Sequence, residues 1–290
     1  MSSKKLKMSL SDSVQKFILE NNNVRGVIVH LTQSFRTILE KHAYPPIMQR
    51  YLGEMLLAAT LLAETVKLSG RMTIQFQSDG AIKMLVAQIN DEGQLRGLAQ
   101  WDANVSEVEL KNGLGEGMLV MTVFQKHHEK PMQSMVPLEN KTIAEALAFY
   151  FLQSEQLPTH FSFAVKDDMA SGFLLQVMPE HDDPDRKTRW TALIDQVNKI
   201  DARELFYDNN ASFLQYYFLD ENIRLFDSRD LAFHCGCSLS KMENAIRVIG
   251  RIEANLILKE KAEIVVTCEY CNHHYAFDRE AIEKIFETPP

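Results

Sequence analysis

All four cysteines of the chain stand in two tight pairs near its end. Cys235 and Cys237 lie in Phe233-His234-Cys235-Gly236-Cys237-Ser238, and Cys268 and Cys271 in Thr267-Cys268-Glu269-Tyr270-Cys271-Asn272. Two close pairs far apart in sequence are the pattern of one four-thiolate zinc site. Zn²⁺ has no d-electron preference for geometry and accepts four sulfurs in a tetrahedron at ~2.3 Å. The spacing makes Cys235, Cys237, Cys268 and Cys271 the candidate ligands of one zinc ion per chain. The second pair is a standard C-x-x-C knuckle; the first, C-x-C, is a rarer chelate. The spacer between the pairs exceeds the roughly 15–20 residues of a zinc ribbon, so it has room for a helix or two. Two disulfides of a secreted domain, or free thiols, are the alternatives. A disulfide between residues i and i+2 is strained and easily reversed, which would suit a switch, although the spacing alone is also that of a compact metal knuckle.

Other chemistry is poorly supported. The chain has no nucleophile elbow, no H-E-x-x-H and no plausible triad. His127-His128 and His273-His274 are pairs of neighbours that point to different sides, so they read as surface loop residues, with His273 or His274 a candidate neighbour of the zinc site. Gly113-x-Gly115-x-Gly117 lacks the strand before, the helix after and the Lys-Ser/Thr of a phosphate loop.

The elements that must position the cysteines read as follows. Residues 12–20 look like a short helical segment capped by Asp12. Val24–Leu31 is a β-branched strand. Ile47–Leu68 is the best helix: Leu52, Met55, Leu56, Ala59, Leu62, Ala63 and Val66 make one wide apolar face after Pro45-Pro46. A meander follows over 72–77, 82–89 and 94–99, with 118–124 after the glycine run. A second helix spans Thr142–Gln153, and strands 161–166 and 172–177 close the sheet. Near the cysteines, Ser240-x-x-Glu243 reads as a capping box opening a helix that Gly250 ends. A short helix over 253–258, a hairpin of 263–267 and 274–277 with Cys268–Cys271 at its tip, and a final helix capped by Asp278 complete the region. A helix among antiparallel strands makes the fold class α+β.

The sequence divides into an N-terminal α+β core domain, residues 1–178, an amphipathic, aromatic-rich helical linker, 179–230, and a small four-cysteine zinc domain, 231–290. Pro179-Glu-His-Asp-Asp-Pro184 marks the first boundary. Leu205, Phe206, Tyr207, Phe213, Leu214, Tyr216, Tyr217, Phe218 and Leu219 crowd one short stretch of the linker. A passive linker would be polar and poor in aromatics, so this segment must bury its apolar face, and the N-terminal sheet is the nearest surface.

The chain has 290 residues, 46% apolar, and a formal net charge of −8. The cysteine region is itself acidic, which counts against a nucleic-acid-binding ribbon or a helix-turn-helix over 229–250, since either needs a basic footprint. The N-terminus has no apolar signal-peptide core, and no apolar run reaches the ~18 residues of a membrane helix. The expected compartment is cytoplasmic, where paired cysteines bind metal or sense redox state.

With these residues in view, the chain resembles the heat shock protein 33 family of redox-regulated holdase chaperones. Phe233-x-Cys235-x-Cys237-Ser238 and Cys268-Glu-Tyr-Cys271-x-x-x-Tyr275-x-Phe277 are similar to its zinc signature. Val24-Arg25-Gly26, Leu52-Gly53-Glu54, Gln75-x-Gln77-x-Asp79-Gly80, Leu95-Arg96-Gly97 and Ser154-Glu-Gln-Leu-Pro-Thr159 resemble its N-terminal motifs. One departure is Ser171-Gly172, where the family usually has two glycines; it is expected to affect a turn and not the switch. The resemblance implies a non-enzymatic, ATP-independent holdase, inactive while reduced and zinc-bound. It implies that oxidation forms redox-active disulfides Cys235–Cys237 and Cys268–Cys271, releases zinc and unfolds the linker, and that the oxidised protein binds unfolding client proteins as a homodimer. Membranes and nucleic acid are not expected partners. The rival readings are a structural-zinc binding module contacting nucleic acid or a translation partner, and a thiol oxidoreductase using Cys268-x-x-Cys271.

Overall fold

The computed structural model describes residues 10–106, 110, 113–139, 141–179 and 184–287. It falls into two compact units that divide between Phe233 and His234. Residues 180–183 of the expected Pro179–Pro184 boundary lie outside the described residues.

The larger unit is built on helix α2, Pro46–Thr65, which begins with a proline at its first turn. Pro is tolerated there because that N–H has no intrahelical partner anyway. The helix is buried almost all round, and from Met55 to Ala63 no residue is exposed on any side. The sequence predicts one wide apolar face; the helix instead packs against two sheets. Strands β3 (Gly70–Gln77), β4 (Ile82–Asn90), β5 (Gln94–Trp101), β6 (Glu116–Gln125) and β7 (Met132–Glu139) belong to a six-stranded sheet completed by β11, Ala232–Phe233, which runs parallel to β5. Strands β1 (Ser13–Leu19), β2 (Val24–Leu31), β8 (Thr159–Lys166), β9 (Met169–Val177) and β10 (Ile223–Asp230) form a separate antiparallel sheet in the order β10-β1-β2-β9-β8. The strands expected to close the meander therefore belong to this second sheet. A helix apolar on every side needs apolar partners on every side, and a single sheet cannot supply them.

The segment expected to be helical over 12–20 is instead a strand, Ser13–Leu19. β1 lies between β2 and β10, so both its edges are paired, and Val14, Phe17 and Leu19 are buried. Asp12 is still a helix-capping carboxylate, but of another helix: it accepts from the backbone N–H groups of Thr32 and Ser34 at the start of α1, Gln33–Leu39. Helix α3, Ile143–Gln153, begins at a reciprocal capping box of Thr142 and Glu145. Ser171 and Gly172 lie inside β9 and not in a turn. Gly172 is required by space: a Cβ there would stand 2.7 Å from the carbonyl oxygen of Ser162.

The aromatic segment forms helix α4 (Arg186–Val197), a 3₁₀ turn (Ala202–Phe206) and helix α5 (Asn210–Tyr217) before continuing into β10. Leu193, Val197, Leu205, Phe206, Phe213, Leu214 and Phe218 bury themselves on Phe17, Ile28, Phe173 and Leu175 of the second sheet. Each such side chain contributes roughly 1.5–3 kcal/mol when fully buried. This layer therefore rests on ordinary apolar burial.

The smaller unit contains α6 (Leu239–Ile249), α7 (Arg251–Glu260), a hairpin of β12 (Glu263–Thr267) and β13 (His274–Asp278), and α8 (Arg279–Glu287). Ser238, not Ser240, caps α6: its hydroxyl accepts from the Lys241 N–H. The helix starts immediately after Cys237's neighbour Ser238, earlier than the Ser240-x-x-Glu243 pattern indicates. Asp278 caps α8 as expected, accepting from the Ala281 N–H at 2.8 Å. The core consists of Ile246, Ala254, Leu258, Ile264, Phe277, Ile282 and Ile285.

Candidate metal centre

Two loops of the smaller unit bring the cysteines together. The first is Cys235-Gly236-Cys237, leading into α6. Gly236 has φ +65°, a left-handed conformation that glycine adopts without a Cβ penalty. It lets the chain double back so that both flanking sulfurs face one point. The second loop is the tip of the β12–β13 hairpin. There the Cys268 N–H donates to the His273 carbonyl at 2.9 Å, and the Asn272 N–H donates to the Cys268 carbonyl at 2.7 Å. Asn272 takes the left-handed conformation, φ +58°, that closes this turn.

The four Sγ atoms lie within 4.8 Å of one another. Cys235 and Cys268 approach to 3.4 Å, and Cys237 and Cys271 to 3.5 Å. Sulfurs at the corners of a regular tetrahedron with ~2.3 Å bonds would be roughly 3.8 Å apart. The donor set and its spacing thus fit one tetrahedral, thiolate-binding ion. Cys268 is buried and the other three are half-buried.

Electrostatics point the same way. Burial pushes the Cys235 and Cys271 thiols up. Burial also acts on Cys237, but hydrogen bonds from Tyr275 and the neighbouring thiols outweigh it and bring this thiol down to about 7. Tyr275 Oη donates to Cys237 Sγ at 3.1 Å, which pushes the phenol up to about 12. Four thiolates packed this closely repel one another, so a cation among them is what allows all four to ionise. The N-terminus of α6, close behind Cys237 in the chain, places a positive helix end beside that sulfur.

Every cysteine singled out in the sequence is therefore in one cluster. The histidine pair is not: His273 and His274 are exposed, and His274 Nδ1 contacts Thr267 Oγ1 at 2.7 Å. Tyr275, one residue further on, touches the Cys237 sulfur. Strand alternation turns it to the face opposite His274, while the sulfur it meets depends on the fold. His127 and His128 are exposed in the turn after β6. Gly113 and Gly115 have φ of +104° and +70° in the loop before β6.

The Hsp33 protein family matches residues 12–278. The chain belongs to the Hsp33 family. Two relatives named 33 kDa chaperonin cover nearly the whole length. That of Nitrosococcus oceani is 37% identical over 279 residues, 96% of each chain. That of Shewanella loihica is 36% identical over 280 residues, 96% of this chain and 97% of the relative. The crystal structure of the 33 kDa chaperonin (heat shock protein 33 homolog) of Thermotoga maritima superimposes with a TM-score of 0.81 at 24% identity, covering 95% of this chain and 98% of that one. This likeness shows the fold. Membership of the Hsp33 family supports a chaperone function, and the four-cysteine cluster can hold a metal ion, compatible with zinc. Among the described residues, no helix is long and apolar enough to cross a membrane.

Proposed function

We propose that this protein is a redox-regulated, ATP-independent holdase whose reduced form carries one zinc ion on Cys235, Cys237, Cys268 and Cys271. The observation that carries this reading is the gathering of all four cysteine sulfurs of the chain within 4.8 Å in a unit with a very small core. Bound zinc would hold the two loops together and supply folding free energy of roughly 10–16 kcal/mol at neutral pH. The four side chains present their sulfurs as thiolates, and thiolates rather than thiols react with peroxide. Each pair then gives up two electrons. One thiolate attacks a peroxide oxygen, and the O–O bond breaks to give a sulfenic acid and a hydroxide that takes up a proton. The partner thiolate attacks the sulfenic sulfur and displaces its oxygen as a second hydroxide, which likewise takes up a proton to become water, leaving a disulfide. The expected bonds are Cys235–Cys237 and Cys268–Cys271. A sulfur held in a disulfide is no longer a thiolate ligand, so the cluster loses its hold on the ion and the smaller unit loses its main support.

The aromatic segment supplies the second part of the reading. Its helices α4 and α5 cover an apolar sheet face that would bind other apolar surface once bare. The chain runs directly from β10 and β11 into Cys235, so unfolding of the smaller unit reaches this layer through the backbone. The domain limits 1–178, 179–230 and 231–290 are proposed as the functional divisions. Client proteins are the proposed partners, with a homodimer in the oxidised state, and the cytoplasm is the proposed compartment.

The test is light scattering from a heat-unfolding client mixed with reduced, zinc-loaded protein or with peroxide-treated protein, while a chromogenic chelator follows zinc. Suppression of scattering only after oxidation, in step with zinc release, is the expected result. Bound zinc with no suppression in either sample would end the holdase reading, and equal suppression in both would end the redox control.

A further inference from the structure

The aromatic segment is held on its sheet by more than apolar contact. A chain of polar groups runs from β10 to the 3₁₀ turn. Gln15 Nε2 of β1 donates to the Phe226 carbonyl at 2.8 Å. Asn210 Nδ2, at the start of α5, donates to Gln15 Oε1 at 2.9 Å. That orientation leaves Asn210 Oδ1 to accept from His30 Nε2 at 2.8 Å. His30 Nδ1 then faces the Ser171 hydroxyl at 2.9 Å, and the same hydroxyl stands 2.5 Å from the Leu205 carbonyl. His30 is 4% exposed and Ser171 1%. The two are cross-strand partners on β2 and β9. Their polar atoms thus meet the covering layer at two points, Leu205 and Asn210.

We propose that His30 and Ser171 are positioning residues that latch residues 205–210 onto the sheet, and so set how readily the aromatic segment leaves it while the thiol cluster is intact. The link to activity rests on the reading that a released segment is the holding state. A buried donor or acceptor that loses its partner incurs most of its desolvation cost. Ser171 carries a single O–H, which satisfies either the Leu205 carbonyl or His30 Nδ1, so removing it leaves one of these two acceptors without its donor. Release therefore becomes easier without any change at the cysteines, which lie in the other unit.

The same geometry makes the latch sensitive to protons. Burial, the largest influence, pushes the His30 imidazole below its ordinary value, against the Asn210 hydrogen bond and the Asp208 charge. Asp208 is the charged group facing the ring; the other elements around this cavity of about 330 Å³ present the neutral groups Ser13, Gln15, Asn210 and Ser228. In the released form the ring has its ordinary value of about 6.5. The released form thus binds more protons than the docked one. Docking is complete above about pH 6.5 and weakens as the pH falls below it, by at most about tenfold per pH unit.

Hydrogen–deuterium exchange on the full-length, reduced, zinc-loaded protein tests this. In Ser171→Ala, peptides within 202–218 should exchange roughly tenfold faster at pH 7.5, while peptides of β3–β5 and of the smaller unit keep their protection and zinc stays bound. In the unmodified protein, after correction for intrinsic exchange rates, protection of 202–218 should fall between pH 7 and 5.5, and this dependence should vanish in His30→Gln. The pH series compares the unmodified protein with His30→Gln, so it stands if Ser171→Ala does not fold. Unchanged exchange of 202–218 in Ser171→Ala, or a pH dependence that survives in His30→Gln, overturns the latch. A client-scattering assay on the same samples separates the two readings: a segment that opens without suppressing aggregation leaves the latch standing and removes the holdase.

Discussion

The two units are held together by different physics. Among the described residues, the main core of the larger unit contains forty buried apolar side chains, whereas that of the smaller unit contains seven. The larger unit can lose one contact and remain folded, because the rest of α2 still separates two sheets. The smaller unit has no such reserve. Below about 40–60 residues, apolar burial alone is marginal and a metal often makes up the difference. Stability spread over many side chains resists chemistry, while stability concentrated in four sulfurs can be removed by one reagent.

The sharpest way to break this contrast is to take away the zinc ion proposed for the cysteine cluster. Chelation, or Cys268→Ser, should unfold the smaller unit while leaving the larger one intact, because the lost free energy is on the scale of ~10 kcal/mol. Nuclear magnetic resonance spectra should show the loss of dispersed signals from 234–287 only; loss throughout the chain would show that the units are not energetically separate. A smaller effect is expected from Phe213→Ala. This ring is 4% exposed within the covering layer, and truncation should cost about 3–5 kcal/mol of docking. Limited proteolysis should then cut within 199–218 before any other site, with metal content unchanged.

Glu54 tests the larger unit through pH. Burial pushes its carboxyl up to about 7, with Arg50, 3.4 Å away, opposing. The folded state therefore holds a proton that the unfolded state has released, and stability should decline as pH rises from about 4.5 through 7. The full decline from this group is at most about 3 kcal/mol. Glu54→Gln should remove it, so that urea midpoints at pH 5 and pH 8 converge; midpoints that keep their separation would place the pH dependence elsewhere. The smallest effect belongs to the exposed Lys284–Glu280 pair on α8. Lys284→Ala should leave chelator sensitivity and unfolding midpoint unchanged, since such pairs contribute little in water.

Much of this is legible in sequence because local rules act alone. The cysteine spacing marks the cluster, α2 shows its periodicity, and the hairpin turns carry Asp-Gly and Glu-Gly. What escapes a sequence reading depends on distant partners. Ser13–Leu19 reads as a capped helix until β10, some two hundred residues later, is seen beside it. Asp12 has the chemistry of a cap, but the helix it serves begins at Gln33. Ser171 reads as a turn substitution because its partners, His30 and Leu205, are 141 and 34 residues away. Tyr275 is visible as part of a signature, but its hydroxyl on Cys237 requires the fold.

The pairing of β1 with β10 also fixes an order of events for the newly made chain. Ser13 is registered against Asp230. At roughly 5–20 residues per second, the first strand leaves the ribosome on the order of ten to forty seconds before its neighbour exists. Once Phe173 has been made, and until residues 193–218 and then β10 follow, one border of the second sheet has no hydrogen-bonding partner of its own, and Phe17, Ile28 and Phe173 have no cover. Synthesis thus passes through an unfinished sheet with the same bare face that release of the aromatic segment would restore.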